Sequence, residues 1–204
     1  MANINSVWKG FYVLEGLDGS GTTSQLHLLL KAFAERGIPA AGTWEPSDLP
    51  VGLLIRRILR KELRVEPETL ARLFSTDRFE HLYNETRGIR ALLDRGQKVF
   101  CDRYLFSSLA YQSLGCGYET VRALNDFPLP EKLFFVDVPP EICRDRRHQR
   151  DMEELFEDMS FQEQLLANYR RALEDYRDTG MEIHIIDGTG TPEEVREEIL
   201  GKLL

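Results

Sequence analysis

Apolar residues follow two alternating patterns along this chain. Five short runs are nearly continuous in apolar character: 11–15 (FYVLE), 38–43, 98–102 (KVFCD), 132–138 (KLFFVDV) and 182–187 (EIHIID). Such runs, rich in Val, Ile and Phe, suit strands covered on both faces of a parallel sheet. Between them, apolar residues recur at helical spacing. Leu26, Leu29, Leu30 and Phe33 form one stripe. Leu70, Leu73, Phe74, Leu82, Ile89, Leu92 and Leu93 predict a single long helix over about 67–95. Phe161, Leu165, Leu166, Tyr169 and Leu173 mark another. A last helix begins after Thr191, with Pro192 in its first turn and Glu193 and Glu194 beside the positive end of the helix dipole. This alternation predicts right-handed crossovers and one α/β domain over residues 1–204, built on a doubly wound, five-stranded parallel sheet in three layers. The stretch 139–158 breaks the pattern. It is densely charged and poor in large apolar residues, and it reads as a mobile lid over about 144–158.

Composition narrows the function classes. The chain has 204 residues, 42% hydrophobic and 29% charged, which excludes wholesale disorder. Its formal charge of -8 argues against nucleic acid as a partner. No apolar run reaches the length of a membrane span. The first residues lack the apolar core of a secretory signal. Cys101, Cys116 and Cys143 are scattered and odd in number, which reads as reduced thiols in a cytoplasmic protein. His27, His81, His148 and His184 lack the spacing of a metal cluster.

The candidate chemistry starts where the first strand ends. Glu15 leads into GLDGSGTT, residues 16–23, and a helical stripe follows at once. This is the spacing of G-x-x-x-x-G-K-[ST] except at one position. Gly16, Gly19 and Gly21 permit a loop whose amides wrap phosphate at a helix N-terminus. Ser20, Thr22, Thr23 and Ser24 lie along it, with Thr23 at the magnesium-ligand position. Thr22 occupies the lysine position and carries no charge. A tight strand-to-helix turn is the plain alternative. Arg144, Arg146, Arg147 and Arg150 offer replacement cations, or a merely solvated helix face.

Two further constellations follow. The third strand ends in DRYLFSSLAYQ, residues 102–112. A carboxylate at the C-terminal end of a parallel strand lies where such sheets bind ligands, so Asp102 can hold magnesium and Arg103 can bridge phosphates. An ordinary Asp-Arg pair is the alternative. Phe74 and Arg78 are four apart and share a helix face, as a base-stacking ring and an edge-reading guanidinium would. Core phenylalanine plus surface arginine is the alternative there. Glu45 and Pro46 stand at another strand end, with Arg56 on the next helix.

Together these segments resemble the thymidylate kinase family of P-loop nucleoside monophosphate kinases. The matching pieces are EGLDGSG at 15–21, Glu45-Pro46, Gly52 with Ile55-Arg56, Phe74 with Asp77-Arg78 and His81, and the intact D-R-Y-x-x-S-x-x-A-Y-Q from Asp102 to Gln112. The resemblance implies a P-loop kinase fold, ATP and dTMP as substrates, Mg2+ as cofactor and a homodimer joined through the long helix. It implies that Phe74 stacks on thymine while Arg78, Ser108 and Gln112 face its edge. Tyr111 would pack under the deoxyribose, and Asp18 would contact the sugar and acceptor side. Arg56 and Arg103 would hold the acceptor phosphate, oriented by Glu45. Thr23 and Asp102 would serve the metal, and Arg146 and Arg150 would close over ATP. Arg103, Asp18, Arg146 and Arg150 would thus carry catalysis. The 186–195 segment resembles an adenine-side loop.

Three cations of the family pattern are replaced. Thr22 stands for the loop lysine, Trp44 for the arginine before Glu-Pro, and the lid's D-R-x-E reads Glu154-Leu155-Phe156-Glu157. Two alternatives therefore stay open: a kinase for another deoxynucleoside monophosphate, and a nucleotide-binding protein without catalysis. A P-loop hydrolase using Asp137 is a further alternative, which the acceptor motif opposes.

Overall fold

The computed structural model describes residues 6–148 and 159–204. Five strands form one parallel sheet in the order β2-β3-β1-β4-β5: β1 (Val7–Gly16), β2 (Ala40–Trp44), β3 (Lys98–Asp102), β4 (Leu129–Asp137) and β5 (Glu182–Asp187). Helices flank it: α1 (Thr22–Glu35), α2 (Pro50–Leu59), α3 (Pro67–Tyr83), α4 (Ile89–Asp94), α5 (Leu105–Tyr111), α6 (Ser113–Cys116), α7 (Tyr118–Ala123), α8 (Pro140–His148), α9 (Met159–Asp175) and α10 (Pro192–Leu203). This is the expected doubly wound α/β architecture. The predicted strands all form, and β1 starts earlier than its apolar run. Gly10, at φ +80, marks an irregularity between Trp8 and Tyr12 that lets Val7 and Trp8 pair with β4.

The central strand β1 is buried from Phe11 onward, and Phe11, Val13, Leu14, Phe100, Leu133 and Phe134 are fully buried in the core. Strand register aligns the carboxyl ends, pairing Leu14 with Asp102 and Gly16 with Val136. The ends of β1, β2, β3 and β4 therefore open on one edge of the sheet, where open α/β sheets bind ligands.

One expectation needs correction. The predicted long helix over 67–95 is two helices, α3 and α4. The apolar spacing continues across the break, but the Asn84 side chain accepts from the Thr86 and Arg87 amides and so competes with helical pairing. Gly88 then lies so close that a Cβ there would sit 2.5 Å from the Asn84 carbonyl oxygen. The first residues of the predicted lid segment belong to α8 (Pro140–His148). The remainder of the segment, including Arg150, Glu154 and Glu157, lies outside the described residues.

Candidate active site

The loop after β1 is shaped by close backbone approach. Gly19 has φ +92, and a Cβ there would lie 2.4 Å from the Cys143 carbonyl oxygen of α8. Gly21, at φ +104, precedes α1, and no side chain caps that helix. The first amides of a 14-residue helix are thus left for an anion. Thr22, at the lysine position, is 5% exposed. The Ser20 hydroxyl is buried without a partner.

At the neighbouring strand end, Thr23 Oγ1 donates to Asp102 Oδ2. Asp102 Oδ1 is buried and unpartnered. A hydroxyl and a carboxylate with one spare oxygen fit a hard divalent cation such as Mg2+. Among the described residues no group of three His, Cys, Asp or Glu side chains forms a metal site, so such an ion needs phosphate and water oxygens as well.

Beside the loop lies a cavity of about 480 Å³. It is lined by the predicted residues Asp18, Glu45, Phe74, Arg78, Arg103, Ser108, Tyr111 and Gln112. Arg56 is not among them. It donates to the Pro46 carbonyl and lies 3.4 Å from Asp48 Oδ1, and its Nε is buried without a partner. Trp44, 38% exposed, is likewise outside, with Nε1 3.4 Å from Asp48 Oδ1.

One wall is a buried charge network. Arg78 is 1% exposed, which excludes a surface arginine. Its Nε and Nη2 donate to Glu45 Oε2 at 2.9 and 2.6 Å, its Nη2 also to Ser108 Oγ at 3.1 Å, and its Nη1 to Asn125 Oδ1. A guanidinium has five donor hydrogens, so one Nη1 hydrogen remains. Glu45 Oε1 lies 3.1 Å from His81 Nδ1, and His81 Nε2 is 2.6 Å from Thr43 Oγ1. Asp77 holds Ser47 through its amide at 2.7 Å and its hydroxyl at 2.6 Å, which fixes the turn after β2. Helix α3 thereby sets the position of Glu45. Removing one partner from a buried ion pair of this kind costs about 3–5 kcal/mol.

Arg103 joins the cavity to the loop. It follows β3 with φ +72, a left-handed conformation unusual for a residue with a side chain. Its Nη1 donates to the Gly16 carbonyl at 2.8 Å and to Tyr169 OH at 3.0 Å, and its Nη2 to Asp18 Oδ1 at 2.6 Å. The guanidinium lies 5.5 Å from the centre of the Tyr111 ring. Beneath it Glu15 accepts from the Tyr104 amide, the Ser107 amide and hydroxyl, and Tyr169 OH. Burial pushes the Glu15 carboxyl up to about 7, with Arg103 and these hydrogen bonds opposing the rise.

Two arginines of α8 meet the loop. Arg146 donates to the Ser20 carbonyl at 3.4 Å and the Gly188 carbonyl at 3.0 Å, and Arg147 to the Asp18 carbonyl. The three cysteines are free, and burial raises the Cys101, Cys116 and Cys143 thiols, Cys143 to about 11. They are therefore protonated and unreactive at neutral pH.

Sequence reasoning missed Glu15, Ser107, Tyr169, Asn125, Leu59 and Lys61 as parts of this site. A carboxylate closing an otherwise apolar strand was the available signal for Glu15. Tyr169 sits within a helical stripe and reads as core. Leu59 and Lys61 line the cavity from the end of α2 and belong to no motif.

A family model described as Thymidylate kinase matches residues 14–199. A Staphylococcus haemolyticus protein named thymidylate kinase is 34% identical over 93% of this chain and 95% of its own length. A Leptospira borgpetersenii protein of that name is 35% identical, over 93% and 91%. A Treponema pallidum relative reaches 38%, over 97% and 96%. Among the described residues, no helix is long and apolar enough to cross a membrane.

Proposed function

The chain belongs to the thymidylate kinase family, and from that premise we propose that it transfers the γ-phosphoryl group of ATP to dTMP, giving dTDP and ADP. The observation that carries this reading is the placement of Arg103. It lines the cavity while bonded to Gly16 and Asp18 of the phosphate loop, so one cation can serve both donor and acceptor phosphates.

Phe74 offers a stacking face, and the last Arg78 hydrogen, Gln112 and Ser108 face the base. Tyr111 supports the sugar. Arg56 would have to leave the Pro46 carbonyl to reach the acceptor phosphate. Thr23 and Asp102 would hold Mg2+, which screens phosphate charge when bound. The attacking phosphate oxygen of dTMP is already anionic, so no general base is required. The protein's contribution is positioning and charge stabilisation. The chain would work as a homodimer, and a reduced compartment suits its free thiols.

Thr22 favours one rival reading, a protein that binds nucleotide without transfer. A product assay with ATP, Mg2+ and one monophosphate at a time (dTMP, dUMP, dCMP, dGMP or UMP) separates them. The expected result is dTDP formed well ahead of the other diphosphates. Another leading product would mean a different acceptor. Binding of dTMP with no diphosphate would establish the non-catalytic reading.

A further inference from the structure

Among the described residues two that are not glycine have positive φ, Arg103 at +72 and Lys61 at +62, and both line the same cavity. Lys61 ends α2 in a Schellman arrangement. The Glu62 amide donates to the Arg57 carbonyl at 3.0 Å and the Lys61 amide to the Ile58 carbonyl at 2.9 Å. That position is normally glycine, because a Cβ is disfavoured in the left-handed region. A lysine there is locally unfavourable, and strain of this kind concentrates at functional sites. Its neighbour Glu62 pairs with Arg57 at 3.1 Å, and Lys61 forms no ion pair among the described residues.

Lys61 lines the cavity from the turn after α2, two residues beyond Leu59, while Phe74 and Arg78 line it from α3. Helices α2 and α3 pack together and are joined by residues 60–66, the stretch that carries Lys61. On α3, Phe74 precedes Arg78 by one turn. Arg103 and Asp18 hold the phosphate-loop end. On the dTMP reading the base would meet the one Arg78 hydrogen left over, the Ser108 hydroxyl and the Gln112 amide. The Glu45 carboxylate is spent on Arg78 and His81. Such an environment suits carbonyl oxygens and opposes an exocyclic amine, which would find no free carboxylate.

We propose that Lys61 is a specificity-determining residue whose ammonium donates to a base carbonyl, favouring 4-oxopyrimidine over 4-aminopyrimidine nucleotides. This rests on the dTMP reading of the cavity.

The test uses Lys61→Gly, Lys61→Met and Lys61→Arg in the full chain, with initial rates on dTMP and dCMP, calorimetric dTMP binding and thermal melting. Lys61→Gly suits its backbone position, so its melting temperature should equal or exceed that of the parent. Its KM for dTMP should rise roughly tenfold, with kcat within about twofold, as for a lost charged hydrogen bond. The preference for dTMP over dCMP should fall by a similar factor. Lys61→Met should match it and Lys61→Arg should keep most of the affinity. A dTMP KM and a dTMP/dCMP preference in Lys61→Gly both within twofold of the parent would overturn the proposal and leave the kinase reading intact. A lower melting temperature with unchanged KM would assign Lys61 a structural role instead. A parent protein that neither binds nor phosphorylates dTMP would remove both readings at once.

Discussion

Glu15 shows how one buried side chain sets both stability and geometry. Its carboxyl is fully enclosed and accepts four hydrogen bonds, from Tyr104, Ser107 and Tyr169. Ser107 and Tyr169 in turn receive hydrogen bonds from Arg103 at 3.3 and 3.0 Å, so Glu15 holds that arginine through two hydroxyls. Desolvation outweighs these bonds and raises the carboxyl from 4.5 to about 7. An acid whose folded pKa is raised contributes stability that is fully present below its unfolded value. That contribution is lost as pH rises through the folded value. The window is therefore about pH 4.5 to 7, and the contribution is on the order of 3 kcal/mol. Glu15→Gln keeps the shape, with its oxygen toward the amides and its nitrogen toward the hydroxyls. Urea unfolding across this window should show a flatter pH dependence for the variant and greater stability than the parent at pH 8. An unchanged slope would mean that Glu15 titrates normally.

At the scale of elements, α3 works through two faces. Asp77, Arg78 and His81 point inward and are buried. Phe79 is 58% exposed and packs on Tyr83 with ring centres 4.9 Å apart, and Tyr83 meets Trp8 at 5.8 Å. We propose that a second copy of this chain covers this aromatic face. In sedimentation velocity the parent should then run as a dimer and Phe79→Glu as a monomer, with the dTMP KM of the variant within about twofold. A monomeric parent, or a variant that stays dimeric, would refute the assignment. The inward face was legible beforehand, because Phe74 and Arg78 four residues apart define one side of a helix. The five strands and the glycine loop were legible for a similar reason, since each is a local pattern. The break at Asn84 was not, because apolar periodicity ran on through a side chain that captures backbone amides. The Glu15 network was hidden for another reason. Its partners lie 89, 92 and 154 residues away, and only the assembled sheet brings them together. Arg56 is the converse case: its motif spacing fits an acceptor-phosphate role, yet Pro46 and Asp48 hold it outside the cavity.

For the whole molecule, parallel topology gathers distant loops at one edge of the sheet, and Arg146 spans two of them. It reaches Ser20 after β1 and Gly188 after β5, so its guanidinium lies against the loop that lacks a lysine. We propose that Arg146 supplies the missing charge during phosphoryl transfer. A cation added to such a site is worth roughly 10³–10⁵ in rate, and the nearby Arg147 and metal would share part of that. Arg146→Ala should therefore lower kcat by about a hundredfold or more and leave the KM for dTMP within a few-fold, because charge develops on the donor phosphates in the transition state. A merely structural role for Arg146 would instead lower the melting temperature and both kinetic constants together. Thr22→Lys separates the two further. Placed in the Arg146→Ala background, it should recover roughly tenfold in kcat if charge at the loop is what was lost, since a P-loop lysine reaches the same phosphates. Unchanged kcat in Arg146→Ala would remove Arg146 from the reaction and leave Arg103 and Arg147 as the described cations bonded to the loop.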